Sequence, residues 1–215
     1  GERETKGRPG LLFPFPECSR QVDRGPGFAL RIDQPQRAQL DIAIGVAGIH
    51  GMEHEVAVAT RAGGCFWGAE ELLRKLPGVI ETTVGYTGGR TKRPTYEQVS
   101  TGRTGHAEAV RVVYDPRKLS YEKILRYFFR LHDPTTKNRQ GNDRGTQYRS
   151  AIFVHDEQQR RAAEKMLAEV NSSGKWKSPV VTEITTASPF TPAEDYHQDY
   201  LQRHPRGYTC HFLRD

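Results

Sequence analysis

The sequence is poor in cysteine, in long apolar runs and in patches of one charge. Its 215 residues hold three cysteines, Cys18, Cys65 and Cys210, too few for a disulfide-dense scaffold. None belongs to a Cys-x-x-Cys pair, the usual start of a zinc site, so no metal is expected. An odd count without pairs points to a reducing compartment or to cysteines that do chemistry. The longest apolar run, Ile42 to Ile49, has eight residues, against the roughly 20 a membrane span needs. It also lies too far from Gly1 for a secretory signal. These absences point to a cytoplasmic chain with no membrane partner. The charge balance is basic, 32 Lys+Arg against 26 Asp+Glu for a net +6, but the cations are scattered. The densest cluster, Arg139 to Arg149, is broken by Gly141, Asn142, Asp143 and Gly145. No stripe of Lys/Arg interleaved with aromatics marks a nucleic-acid surface. The charge therefore speaks to solubility and steering rather than to a nucleic-acid partner.

Apolar residues are also scarce, 35% of the chain, and the deficit is uneven. Gly and Pro fill 13 of the first 51 positions but only 21 of the remaining 164. Residues 1–51 show no helical or strand period and too little apolar surface to offset the entropy of ordering. They are expected to form an irregular N-terminal extension, extended or disordered, with the folded domain at 52–215. The first methionine is Met52, and the expectation is that it is the natural start.

From Met52 the texture changes. Val56 to Thr60 reads as a strand, and Gly63-Gly64 as a turn. A helix is expected from Cys65 to Leu76, with Phe66, Ala69, Leu72, Leu73 and Leu76 on one face and Pro77-Gly78 ending it. Val79 to Tyr86 and Ala107 to Tyr114 read as strands. Ser120 caps a helix that His132-Asp133-Pro134 stops. A polar loop, Thr135 to Arg149, leads to a strand from Ala151 to His155. Asp156 and Gln159 form a capping-box pattern for a helix ending near Asn171. Val180 to Ile184 is a further strand. Thr191, Pro192 and Glu194 then look like the start of a last helix, to Arg203. The order β-α-β-β-α-β-α-β-α fits an α+β, ferredoxin-like mixed sheet with helices packed on it.

Two residues carry chemical signal. Cys65 sits where a strand turns through Gly63-Gly64 into a helix N-terminus. The free N–H groups and the positive dipole end there stabilise a thiolate. Gly64 and Gly68 leave room for another molecule to approach the sulfur, and Phe66 and Trp67 supply an apolar wall. Glu108 shares a strand face with Val110, Val112 and Tyr114. If that face is interior, Glu108 is a desolvated carboxyl group held neutral near pH 7, a general acid; if not, it is a strand-end Glu in solvent. Periodicity leaves both open.

Six motifs, in order, carry a resemblance: Gly63-Gly-Cys-Phe-Trp-Gly68, Gly85-Tyr-Thr-Gly-Gly89, Pro94-Thr-Tyr96, Gly105-His-Ala-Glu-Ala-Val110, Gly141-Asn-Asp143 with Gly145-Thr-Gln-Tyr-Arg-Ser150, and Ala193-Glu-Asp-Tyr-His-Gln198. Together they resemble peptide-methionine (S)-S-oxide reductases, the MsrA family, over about residues 56–213. The resemblance implies that Cys65 attacks the sulfoxide sulfur and Glu108 protonates the oxygen. It implies that Tyr96 and Tyr148 hydrogen-bond that oxygen, with Asp143 shaping the same pocket. It implies that Phe66 and Trp67 hold the S-methyl group. The product is a Cys65 sulfenic acid. Cys210, in a Gly207-Tyr-Thr-Cys210 segment five residues from Asp215, resembles the resolving cysteine on a mobile tail. The resemblance implies that thioredoxin or another external dithiol then reduces Cys65–Cys210, with no bound cofactor. Substrates are free and protein-bound methionine-S-sulfoxide, and a monomer is expected. Cys18 has no assigned role. Thr191 stands where the family often has an aromatic. Two other readings compete: a cysteine hydrolase with His106 as base to Cys65, and a basic binding module with an incidental thiol. His106, His132 and His197 otherwise read as structural hydrogen-bonders.

Overall fold

The computed structural model describes residues 56–215. The expectations for residues 1–51, for a start at Met52 and for Cys18 lie outside the described residues. Among the described residues eight strands and five helices follow one another: β1 (Ala57–Gly63), α1 (Phe66–Leu73), β2 (Val79–Thr87), α2 (Tyr96–Ser100), β3 (Ala107–Tyr114), α3 (Tyr121–Leu131), β4 (Arg139–Gln140), β5 (Asp143–Arg144), β6 (Ser150–Val154), α4 (Glu157–Ser172), β7 (Glu183–Thr186), β8 (Thr191–Pro192) and α5 (Tyr200–Arg203). A 3-10 turn, Thr146–Tyr148, precedes β6.

Six strands form one sheet in the order β7-β6-β1-β3-β2-β8. Its four central strands, β6-β1-β3-β2, carry the β-α-β-β-α-β layout, each antiparallel to its neighbour. Helix α4 is the crossover that makes β7 parallel to β6. The mixed α+β sheet is the one expected from sequence. Its helix-covered face presents Ala59, Val84, Tyr86, Val110, Val112, Tyr114, Ile152 and Val154. They meet Phe66 and Leu73 of α1, Ile124, Leu125 and Phe128 of α3, and Ala163 and Met166 of α4. Each such buried large side chain contributes on the order of 1.5–3 kcal/mol. The opposite face is lined by Ala62, Ala107, Ala109, Ala151 and Phe153, and Ala187 and Phe190 pack against it.

Local signals set most of the boundaries. Ser120 Oγ accepts from the Lys123 N–H at 3.2 Å and opens α3. Asp156 Oδ1 accepts from the Gln159 N–H at 2.7 Å and opens α4. Strand β3 runs over the residues whose alternation marked it.

Several expectations are corrected. Strand β1 continues past Thr60 to Gly63, because β3 and β6 pair with it from both sides through Arg61 and Gly63. Arg61, just past the expected strand end, is buried with its guanidinium 4.5 Å over the Tyr121 ring. Helix α1 stops at Leu73, three residues short of Leu76. The polar 135–149 loop contains the β4–β5 hairpin and the 3-10 turn. Strand β7 begins at Glu183, because Val180 N–H goes to Asn171 Oδ1 and Val181 N–H to the Pro134 carbonyl. The largest correction concerns 191–203. Thr191 and Pro192 are strand β8, paired with Tyr86 and Gly85, and the helix is confined to Tyr200–Arg203. Gly85 allows it: a Cβ there would run into the Thr191 carbonyl and the Phe190 ring. Asp199, at φ 52°, is incompatible with a continuous helix from Glu194 to Arg203.

Candidate active site

Cys65 is the N-cap of α1, at the corner where β1 ends, and has no accessible surface. The next residue ties this corner to β3: the Phe66 N–H donates to Glu108 Oε2 at 3.1 Å. Glu108 lies on the helix-covered face and is 1% exposed, so of the two readings open to it, the interior one holds. Its second oxygen, Oε1, is buried without a hydrogen-bond partner among the described residues. Burial pushes the carboxyl up to about 8, the Phe66 N–H pulls it back, and the nearby Asp143 carboxylate raises it further. The acid is therefore neutral at pH 7, with a proton beside an unengaged oxygen.

The apolar side is built on a histidine. Phe66 (0% exposed) and Trp67 (2% exposed) follow Cys65 on α1. The Trp67 indole N–H donates to His197 Nδ1 at 3.1 Å, and the indole stacks on the Tyr200 ring at 3.8 Å and 13°. The His197 ring lies 5.2 Å from Phe66 and 4.4 Å from Tyr96. Burial lowers His197 to about 4, so it stays neutral and accepts from the indole. Tyr96 opens α2 behind the Thr95 capping box, and its backbone N–H donates to Glu194 Oε1 at 2.9 Å. The other oxygen of Glu194 accepts from the Tyr86 hydroxyl at 2.8 Å. Arg74 bridges Glu70 (3.0 Å) and Asp199 (2.7 Å), which binds the 193–203 segment to α1.

On the far side of Cys65, the short β4–β5 hairpin presents buried Asp143, and the 3-10 turn holds buried Tyr148 against β3. Asp143 faces Tyr208 and Cys210 of the C-terminal segment. Neither Cys65 nor Cys210 is in a disulfide, and the Cys65 backbone N–H points at the Cys210 sulfur. The tail expected to be mobile is thus seated on the α1 N-terminus. The room left by Gly64 and Gly68 is filled by the chain itself: a Cβ at Gly68 would strike the Thr209 hydroxyl and lie 2.8 Å from His211 Nδ1.

The geometry thus gathers Cys65, Phe66, Trp67, Glu108, Asp143 and Cys210 at one corner, with Tyr96 reached through His197 and Tyr148 on the adjoining turn. Sequence reasoning missed Glu194, Tyr200, Tyr208 and His211; the first two lie in or beside the Ala193–Gln198 motif. His106 is unsuited to serve as base to Cys65. Its Nε2 donates to the Thr91 carbonyl at 2.8 Å, and its Nδ1 accepts from the Gly89 N–H at 3.3 Å. His132 is likewise committed, to the Phe128 carbonyl and the Ser150 hydroxyl. Among the described residues no three His, Cys, Asp or Glu side chains are grouped to hold a metal, and no helix is long and apolar enough to cross a membrane.

The model of one family, peptide methionine sulfoxide reductase, matches residues 57–214. The chain belongs to that family. A peptide methionine sulfoxide reductase MsrA of Nocardia farcinica is 58% identical over 156 residues, 73% of this chain and 89% of that protein. One of Mycobacterium tuberculosis is 56% identical over 156 residues, 73% of this chain and 84% of that one. The reduced form of Mxr1 from Saccharomyces cerevisiae superposes with a TM-score of 0.71 at 38% identity, covering 74% of this chain and 93% of that one. The methionine sulfoxide reductase A of Corynebacterium diphtheriae gives 0.64 at 38%, covering 75% and 80%. Mxr1 in complex with Trx2 gives 0.52 at 26%, covering 77% and 97%. The chain is therefore an oxidoreductase of the methionine sulfoxide reductase class, and the hydrolase and binding-module readings fall away.

Proposed function

We propose that the chain reduces methionine-S-sulfoxide, free and in proteins, by thiol chemistry at Cys65. The observation that carries this reading is the buried carboxyl group of Glu108, with Oε2 on the N–H of Phe66, the residue that follows Cys65, and Oε1 unengaged. A sulfoxide oxygen has to be protonated as its S–O bond breaks, and a neutral carboxylic acid is a fitting donor. Cys65 attacks the substrate sulfur. Glu108 gives its proton to the oxygen, which Tyr96 and Tyr148 hydrogen-bond while Asp143 shapes the pocket. Phe66 and Trp67 hold the S-methyl group, with Trp67 fixed by His197 and Tyr200, and this pairing of apolar wall and polar donors selects the S epimer. Methionine leaves and Cys65 is left as the sulfenic acid.

Cys210 then condenses with that sulfenic acid, expelling water and forming Cys65–Cys210. An external dithiol returns the enzyme to its reduced form without any bound cofactor. Thioredoxin fits this role, supported by the likeness to Mxr1 in its complex with Trx2. The enzyme works as a monomer in the cytoplasm. The test supplies the separate S and R epimers of methionine sulfoxide with dithiothreitol and follows methionine. Turnover of the S epimer alone, abolished in Cys65→Ser, is expected; equal turnover of both epimers, or activity retained by Cys65→Ser, refutes the reading.

A further inference from the structure

The histidine next to Cys210 has a role that the scheme above leaves unassigned. His211 is 7% exposed, and its Nε2 lies 2.7 Å from the Gly63 carbonyl, on the strand that delivers Cys65. A carbonyl only accepts, so Nε2 bears the hydrogen. Burial holds the ring at about 4, hence neutral at pH 7, against the Gly63 hydrogen bond, which raises it, and with Arg214 lowering it a little further. A neutral imidazole with hydrogen on Nε2 has a lone pair on Nδ1. That lone pair faces the Cys210 sulfur at 3.4 Å. The placement is fixed from α1 as well: a Cβ at Gly64 would lie 3.1 Å from His211 Cε1 and one at Gly68 2.8 Å from Nδ1. The two glycines flanking Cys65 are thus the seat of this imidazole.

We propose that His211 is the proton acceptor of the disulfide-forming step, its tautomer set by the Gly63 carbonyl so that Nδ1 takes the proton of the Cys210 thiol. The inference rests on the reading of Cys210 as the resolving cysteine. Cys210 needs such an acceptor, because burial, Cys65 and Asp143 all oppose its ionisation and push the thiol up. The charged and titratable groups around the pair are Cys65, Asp143 and Tyr208 about the sulfur, His132 about the imidazole, and Arg214, which faces both. In the step, the S–H proton passes to Nδ1 as the Cys210 sulfur pair attacks the sulfenic Cys65 sulfur. The S–S bond forms and the S–O bond breaks. The departing hydroxide takes the proton back from the imidazolium and leaves as water. Cys210 is oxidised and Cys65 reduced, with no further reagent.

The experiment is a single turnover without dithiol across pH 5.5–8.5, following trapping of the Cys65 sulfenic acid by dimedone and loss of both thiols. In the native protein, disulfide formation is expected to be flat with pH, since Nδ1 is unprotonated throughout. In His211→Gln it falls about 10²-fold at pH 6 and then climbs about tenfold per pH unit as thiolate supply takes over. A His211→Gln protein with an unchanged rate, or a slowed but flat profile, overturns the proposal. So does an Asp143→Asn protein that acquires the steep profile instead, which would make the carboxylate the acceptor. Cys210→Ser in parallel separates the two levels: an intramolecular disulfide formed without Cys210 refutes the underlying reading, whatever His211 does. Nitrogen NMR of the native protein supplies a check independent of any variant. A hydrogen found on Nδ1 at pH 7 sinks the inference; one on Nε2 supports it.

Discussion

Glu108→Gln should make the protein more stable and nearly inactive, and both effects can be worked from one burial. The folded-state carboxyl stands at about 8 against an ordinary 4.5. Between those values the native state holds a proton that the unfolded chain has released, so the stability belonging to this group is fully present below pH 4.5. It falls as pH rises and is lost by pH 8. At pH 7 the deficit is about 2.5 pH units of linkage, or about 3 kcal/mol. Glutamine imitates the neutral acid: its oxygen still accepts from the Phe66 N–H, and it does not titrate. The variant should therefore match the native protein near pH 4.5 and exceed it by about 3 kcal/mol at pH 7, a gain of roughly 6–12 °C in Tm for a domain of this size. Paired thermal melts across pH 4.5–8 cancel every other titrating group. In the same variant the first-turnover rate of methionine formation should fall about 10²–10⁴-fold, with KM little altered, because a proton donor is lost and the pocket is not. A native rate falling above pH 8 would accompany this. A Tm difference that does not change with pH refutes the desolvated-acid argument, and a rate loss below about fivefold refutes the catalytic one.

Cys210→Ser should release one methionine per enzyme molecule and then stop under thioredoxin recycling, which a burst assay reads directly. Arg74→Met removes the cation shared by Glu70 and Asp199. Glu70 is buried and raised to about 7, burial outweighing Arg74. The loss should therefore be about 2 kcal/mol at pH 8 and smaller at pH 5, where Glu70 protonates, as checked by urea unfolding at both pH values. Gly85→Ala sets a methyl group against the Thr191 carbonyl and the Phe190 ring. It should cost about 1–3 kcal/mol and raise hydrogen exchange at Ala193, whose N–H is bonded to the Val84 carbonyl.

What was legible in the sequence was what short-range chemistry decides. Ser120 and Asp156 cap helices because their oxygens need only a backbone N–H three residues on, and β3 declares itself by alternation. The pattern Thr191-Pro192-x-Glu194 has the same local look and a different outcome. Its partners are distant: Tyr86 and Gly85 take Thr191 and Pro192 into the sheet, and Glu194 is drawn to the Tyr86 hydroxyl and the Tyr96 N–H. These contacts span about a hundred residues, and no helical window contains them. The site divides the same way. Cys65 at a helix start and Glu108 on an apolar strand face are local facts, but whether that face is interior depends on α1 and α3 packing over it. His211 carries no signal of its own, since its meaning lies in a carbonyl 148 residues away.

The two demands on Cys65 pull in opposite directions, and the fold meets them with segments of unequal hold. A sulfur with no accessible surface touches no methionine sulfoxide until atoms above it withdraw, yet the sulfenic acid left behind is best resolved by a thiol already close. The Glu108 side is fixed by three strands and a helix, and any loosening there would hydrate the acid and return it toward 4.5, ending its use as a proton donor. The Cys210 side is a segment without regular structure: residues 204–215 form no helix or strand, and they are held by side-chain and single backbone contacts, the His211–Gly63 bond, Asp143 against Tyr208, the paired Arg130–Arg214 bonds and Lys175 on the Asp215 carbonyl. Of the two walls over Cys65, this is the one whose displacement costs least. On the proposed mechanism, admission of substrate from the tail side would leave the desolvated acid intact, and return of the tail would deliver Cys210 with its proposed acceptor in place.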